Sequence, residues 1–180
     1  MATYCEYCNS NPDDTYNRNY HDSQYGFPLA DDNLLFERLV LEINQAGLSW
    51  ITILKKADNF RSAYSQFDID RIAAYDEADR ERLLNDTGIV RNRLKVNAAI
   101  ENARRIQNLR SEYGSFKGWL DAHYPLTKDE WVRLFKQNFK FVGGEIVNEF
   151  LMSTGYLPGA HEESCPIYSK VKSQSPPWAI

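Results

Sequence analysis

The 180-residue chain has no run of about 18 apolar residues free of charge, so the sequence predicts no membrane-spanning helix. Its opening, MATYCEYCNSNPDD, has no basic stretch leading into an apolar core, and the expected location is the cytoplasm. Proline is missing from residues 29–124, which leaves a long central body without the strongest helix breaker. No segment alternates apolar and polar residues convincingly enough to read as a strand. Cysteine is scarce, and the count of three is odd, which excludes a complete disulfide framework. A net basic charge is also absent: 21 Lys and Arg stand against 25 Asp and Glu, a balance that disfavours a polyanionic partner unless the charge is local.

What is present fits one soluble domain. The length lies within the usual range of a single hydrophobic core, and 43% apolar with 26% charged residues is ordinary for a globular protein. Helical signals fill the central body. Asp31 or Asp32 can cap a helix carrying Leu35, Leu39 and Ile43, and Ser49 can cap one running through Trp50, Ile53 and Leu54. Val96, Ala99, Ile100, Ala103, Ile106 and Leu109 form an amphipathic stripe that ends near Gly114. Thr127 and Glu130 make a capping box, and a last helix is expected over Ile146, Val147, Phe150 and Leu151. The prediction is therefore an all-α domain over residues 1–168. Residues 1–28 read as irregular, and residues 169–180 (SKVKSQSPPWAI, with Ser169 first) read as a loosely ordered tail.

Three constellations carry chemistry. Cys5, Cys8, His21, His161 and Cys165 supply five soft or imidazole donors, and His21, His161 and Cys165 with either Cys5 or Cys8 would satisfy a closed structural zinc shell that ties the chain ends together. Next, Tyr7, Tyr16, Tyr20 and Tyr25 crowd the N-terminal segment, while Glu42 interrupts the apolar run LVLEINQAG shortly before Trp50. A carboxylate in such a run must be paired or used, and aromatic faces beside it suit a flat, electron-poor ring; the alternative is a purely structural aromatic core.

The third is the segment Leu83 to Lys95, LLNDTGIVRNRLK, which reads as a helix end, a turn at Gly88 and a new helix starting among Arg91, Arg93 and Lys95. Residues 88–110 carry six basic side chains against Glu101 alone, a local charge of +5. If Gly88 takes a positive φ, free amides there can face a phosphate. The competing reading is a solvated helix face.

With these pieces in hand, the stretch from Tyr20 to Lys56 resembles the DNA-3-methyladenine glycosylase I family through its YHD, LE, QAGLSW and ILKK elements, in order and spacing. The likeness continues through Gln66–Asp68 (QFD), Gly88–Lys95 (GIVRNRLK), Phe139–Gly143 (FKFVG) and the His161–Cys165 end, so it spans nearly the whole chain. The resemblance implies a helix-hairpin-helix fold, a structural zinc and excision of 3-methyladenine from double-stranded alkylated DNA by a monomeric, monofunctional glycosylase. It implies Cys5, His21, His161 and Cys165 as zinc ligands, with Cys8 as the alternative to Cys5. It further implies Glu42 as the base-recognising catalytic carboxylate, Trp50, Tyr20, Tyr7 and Tyr25 around the base, and Gly88, Arg91, Arg93 and Lys95 on the DNA.

The chain departs from the family pattern at Gln24 and Tyr25, at Gly144, Glu145, Asn148 and Glu149, and by three extra residues before the YHD element. Asn97, Glu101 and Asn102 follow the hairpin where many related glycosylases place an aspartate. That substitution suits a labile, cationic substrate. The rival expectation is a zinc-stapled helical module that binds DNA or damaged bases without cutting.

Overall fold

In the computed structural model, which describes residues 1–180, helices begin where a short polar side chain can accept the first free amides. Thr3 opens α1 (Tyr4–Ser10) through a reciprocal bond with Glu6, and Asp14 opens α2 (Thr15–Ser23). Asp31 caps α3 (Asp32–Gln45), and Ser49 precedes α4 (Trp50–Ala63). The short helices α5 (Ile69–Ala73) and α6 (Glu77–Leu84) start from Asp68 and Asp76. Asn92 opens the longest helix, α7 (Arg93–Tyr113), which Gly114 ends at φ 81°. Ser115 caps α8 (Phe116–His123), and the Thr127–Glu130 capping box opens α9 (Lys128–Asn138). Two further helices, α10 (Gly144–Ser153) and α11 (Pro166–Ser173), complete an all-α chain with no strand.

The core is built around α3 and α7. Leu35, Phe36, Leu39 and Ile43 of α3 meet Val96, Ala99, Ile100, Ala103 and Ile106 of α7, and Trp119, Trp131, Phe135 and Phe150 fill the remaining space. Each of the larger side chains contributes about 1.5 to 3 kcal/mol of burial, which makes this pair of helices a firm platform. From Leu35 to Asn44 only Glu37 escapes burial, so α3 has almost no solvent face there. Arg38 and Glu42, one turn apart, are therefore held inside the protein.

The chain ends differ from the sequence expectation. Residues 1–28 contain α1 and α2 rather than irregular structure. Their inward faces carry Cys5, Cys8, Asn17, Tyr20 and His21, a mixture with little apolar periodicity to read. The tail expected to hang loose is also ordered: α11 runs to Ser173 across the anticipated boundary at 168/169, and Val171 is buried. Further on, the Trp178 amide donates to the Gly155 carbonyl at 3.2 Å. Gly155 sits at φ +86°, and a Cβ there would come within 2.8 Å of Pro176. The last turn thus packs against a position only glycine can occupy. Cys5, Phe27, Cys165, Ile167 and Val171 form a second small core that joins the two ends of the chain.

Candidate active site and cysteine–histidine cluster

A cavity of about 730 Å³ opens where α1, α2, α3, α4 and α10 converge. Glu42 comes from α3, Trp50 from the first turn of α4, Tyr20 from α2 and Tyr25 from the loop after it. The α10 wall adds Gly143, Gly144 and Glu149. Glu42 and Trp50, paired by sequence reasoning, thus line one hollow. Tyr20 meets the Trp50 ring edge-on at 5.1 Å and leans on Tyr25 at 5.6 Å, so the aromatic wall supports itself.

Glu42 is 4% exposed, and burial, then the neighbouring Glu149 carboxylate, push its pKa up to about 8 against a partial pull from Arg38. No hydrogen bond from the protein contributes to that balance. Arg38 lies over the Tyr20 ring at 5.2 Å and donates to the Ser153 carbonyl at 3.0 Å. The Tyr20 hydroxyl and the Trp50 indole N–H are both buried without a partner. A buried carboxylate left unmatched on a cavity wall is costly unless a ligand completes it.

One of the residues placed around the base needs correction. Tyr7 does not line the cavity: it is 39% exposed, its hydroxyl donates to Asp14 at 2.8 Å, and its ring stacks behind Tyr4. Tyr4 holds the lining position instead, edge-on to Tyr25 at 5.3 Å. Sequence reasoning missed Tyr4 because it did not recognise α1, although the T-x-x-E box of Thr3 and Glu6 was there to be read. Tyr25 does line the cavity, and its hydroxyl donates to Glu149 Oε2 at 3.2 Å. Glu149 was noted only as a departure in the sequence.

The segment from Leu83 to Lys95 is also revised. Gly88 does not take a positive φ, and its amide already donates to Asp86 Oδ1 at 2.8 Å, so it is no free anion donor. Space around Gly88 is tight, since a Cβ there would meet the Asn59 side chain at 3.1 Å. Lys95 is buried, and its ammonium donates to the carbonyls of Asn44 and Ala46 at 2.8 and 2.6 Å. It satisfies the last turn of α3 instead of meeting DNA. Arg104, Arg105 and Arg110 are likewise committed to carbonyls and carboxylates of the protein. Of the basic run Arg91, Arg93 and Arg104 are exposed, and of these only Arg91 and Arg93 make no hydrogen bond or ion pair within the protein. Asn97 accepts from Arg80, Glu101 pairs with Arg105 and Asn102 bonds Lys140, so all three residues after the hairpin are occupied within the scaffold.

Behind the cavity, the side chains of Cys5, His21, His161 and Cys165 bring one donor atom each to within 4.8 Å of one another, all buried. Cys5 Sγ lies 3.4 Å from His21 Nε2 and 3.6 Å from His161 Nδ1, and Cys165 Sγ lies 3.8 and 3.9 Å from the same two nitrogens. A tetrahedral zinc with ordinary bond lengths requires sulfur–nitrogen edges of about 3.6 Å, which this set matches. Cys8, buried beside Tyr4, stands outside the group. The opposite nitrogens are engaged as outer partners: His21 Nδ1–H donates to Asp22 at 2.7 Å and His161 Nε2–H to the Tyr25 carbonyl at 2.6 Å. Those bonds leave the inward nitrogens free to ligate. Gly26, at φ +86°, makes the approach possible, since a Cβ there would lie 2.9 Å from Ala160 and 3.3 Å from His161.

Known proteins resemble this chain in sequence and in fold. The methyladenine glycosylase family model matches residues 8–130. DNA-3-methyladenine glycosylase 1 of Escherichia coli K12 is 37% identical over 168 residues, spanning 83% of this chain and 89% of that protein. A 3-methyladenine DNA glycosylase I from Staphylococcus aureus, solved to explain its 3-methyladenine recognition, superposes with a TM-score of 0.76 at 32% identity, over 84% of this chain and 90% of that one. A tyrosine-to-phenylalanine variant of 3-methyladenine DNA glycosylase I, in complex with 3-methyladenine, gives a TM-score of 0.79 at 32% identity, over 84% of this chain and 91% of the other. By sequence and by fold, the chain belongs to the DNA-3-methyladenine glycosylase I family.

Proposed function

We propose that this protein is a monofunctional DNA glycosylase that hydrolyses the N-glycosidic bond of 3-methyladenine in alkylated double-stranded DNA, as a monomer in the cytoplasm. The observation that carries this reading is Glu42, an unpartnered buried carboxylate sharing a purine-sized cavity with Trp50 and Tyr20. Methylation at N3 leaves the base positively charged while it is bonded to deoxyribose, so the base departs readily once it is out of the stack. The C1′–N9 bond breaks with its electron pair going to the base; water adds to C1′ and gives its proton to solvent. The protein's task is then to hold and orient the base.

Trp50 and Tyr20 offer faces and edges to the ring, a contribution of roughly 1 to 3 kcal/mol for one stacked base. Glu42 accepts hydrogen bonds from the base edge and stabilises its charge. A strong general base is not required, consistent with the engagement of Asn97, Glu101 and Asn102 elsewhere. Lys95, bound to two carbonyls, is not placed to attack C1′ as a lyase nucleophile. Arg91 and Arg93 are the exposed, unpaired cations of the α6–α7 segment, which we read as a helix-hairpin-helix element, and they are assigned to backbone phosphates.

We further infer a structural zinc held by Cys5, His21, His161 and Cys165, supported by the donor set and its spacing. Bound there, zinc would supply a closed, redox-inert tie between the chain ends and no reaction step. The decisive experiment incubates the protein with methylated duplex DNA and follows free 3-methyladenine by chromatography. Release is expected; a shifted DNA band with no free base would overturn the reading in favour of a binding module.

A further inference from the structure

Glu149 has no part in the reaction as described, yet its carboxylate stands in the same cavity as that of Glu42. It projects from α10, and the Tyr25 hydroxyl holds its Oε2 at 3.2 Å. Tyr25 is itself anchored by its carbonyl, which accepts from His161 at 2.6 Å, so Glu149 is oriented by a rigid chain of contacts. One neutral donor is little for a largely buried carboxylate, which can accept about four hydrogen bonds. Glu145, one turn earlier, faces solvent beside Lys128, and the buried cation nearby is Arg38. Two acids over one cation leave the walls short of positive charge, a deficit that a neutral ring cannot supply.

We propose that Glu149 is a second base-contacting, specificity-determining residue: fixed on the α10 wall by Tyr25, it sets a carboxylate against the flipped purine in addition to that of Glu42, and the cavity thereby selects the cationic ring of an N-alkylated purine over a neutral one. The inference rests on the glycosylase reading for the flipped base. Charge selection follows because a cation between two carboxylates lets both ionise, whereas beside a neutral ring one of them keeps its proton and that attraction is missing.

The test measures binding of two small probes to the full chain: 3,9-dimethyladeninium, a fixed cation, and 9-methyladenine, its neutral counterpart. The wild type is expected to prefer the cation, and Glu149→Gln, which retains shape and the contact to Tyr25, to lose about tenfold of that preference while neutral binding holds within about twofold. Tyr25→Phe should act in the same direction more weakly. Equal loss for both probes, or no loss for either, overturns the inference. A wild type that releases no 3-methyladenine from DNA sinks the glycosylase reading instead. Full release together with an unchanged probe ratio in Glu149→Gln sinks only the role of Glu149.

Discussion

A carboxylate confined as Glu42 is binds its proton more tightly in the folded chain than in the unfolded one. Its pKa stands near 8 against an ordinary 4.5, so between those values the native state holds more protons than the unfolded state. Stability from this group is therefore fully present below about pH 4.5 and is lost as pH rises to about 8, at a slope approaching 1.4 kcal/mol per pH unit. Glu42→Gln should flatten that slope and melt higher than the wild type at pH 8, while 3-methyladenine release falls by about a hundredfold. Thermal melts across pH beside single-turnover excision check both halves; a variant that loses stability at pH 8 and keeps its rate would remove Glu42 from the site. Glu42 was legible because an acid inside LVLEINQAG has no structural excuse. Glu149 was not, since its partner Tyr25 lies 124 residues away and nothing in its own neighbourhood marks it.

Among the helices, the clearest sequence signals came from those with long apolar stripes. The α7 stripe and the Thr127–Glu130 box of α9 were visible because periodicity and capping chemistry coincide there. Helices α1 and α2 escaped notice because they bury cysteine, histidine, asparagine and tyrosine rather than leucine. The basic start of α7 shows a different limit: charge counted along a sequence does not say which side chains point inward. Lys95 supports the α3 C-terminus, and Arg91 and Arg93 face outward. Lys95→Met should therefore cost about 2 to 3 kcal/mol of stability by orphaning two buried carbonyls, yet leave the salt dependence of DNA binding unchanged. Arg91→Ala and Arg93→Ala should do the reverse, each lowering the slope of log affinity against log salt by about 0.9 with the melting temperature held. Denaturation curves and salt titrations separate the two sets, and a Lys95 variant with a reduced salt slope would return that residue to the DNA surface.

For the molecule as a whole, the cysteine–histidine cluster takes two donors from each end of the chain, and its His161 also reaches the cavity through the Tyr25 carbonyl. With zinc bound as proposed, metal content and base binding would thereby be linked. His161→Ala should lose zinc and melt roughly 10 °C lower, and it should slacken the wall that carries Tyr25. Elemental analysis with a melting curve decides this; full zinc at an unchanged melting temperature would mean another ligand set. The residue types and the extreme separation of the donors were readable in the sequence, but which of Cys5 and Cys8 meets the two histidines depended on the unrecognised α1.

The small core of Cys5, Phe27, Cys165, Ile167 and Val171, with Thr3 donating to Glu162 at 3.1 Å, makes the polypeptide nearly circular. Its first and last helices thus share one small core. A version joined from Ile180 to Met1 by a flexible linker long enough to span them and reopened at the exposed turn around Gly114 should fold and keep its melting temperature within a few degrees.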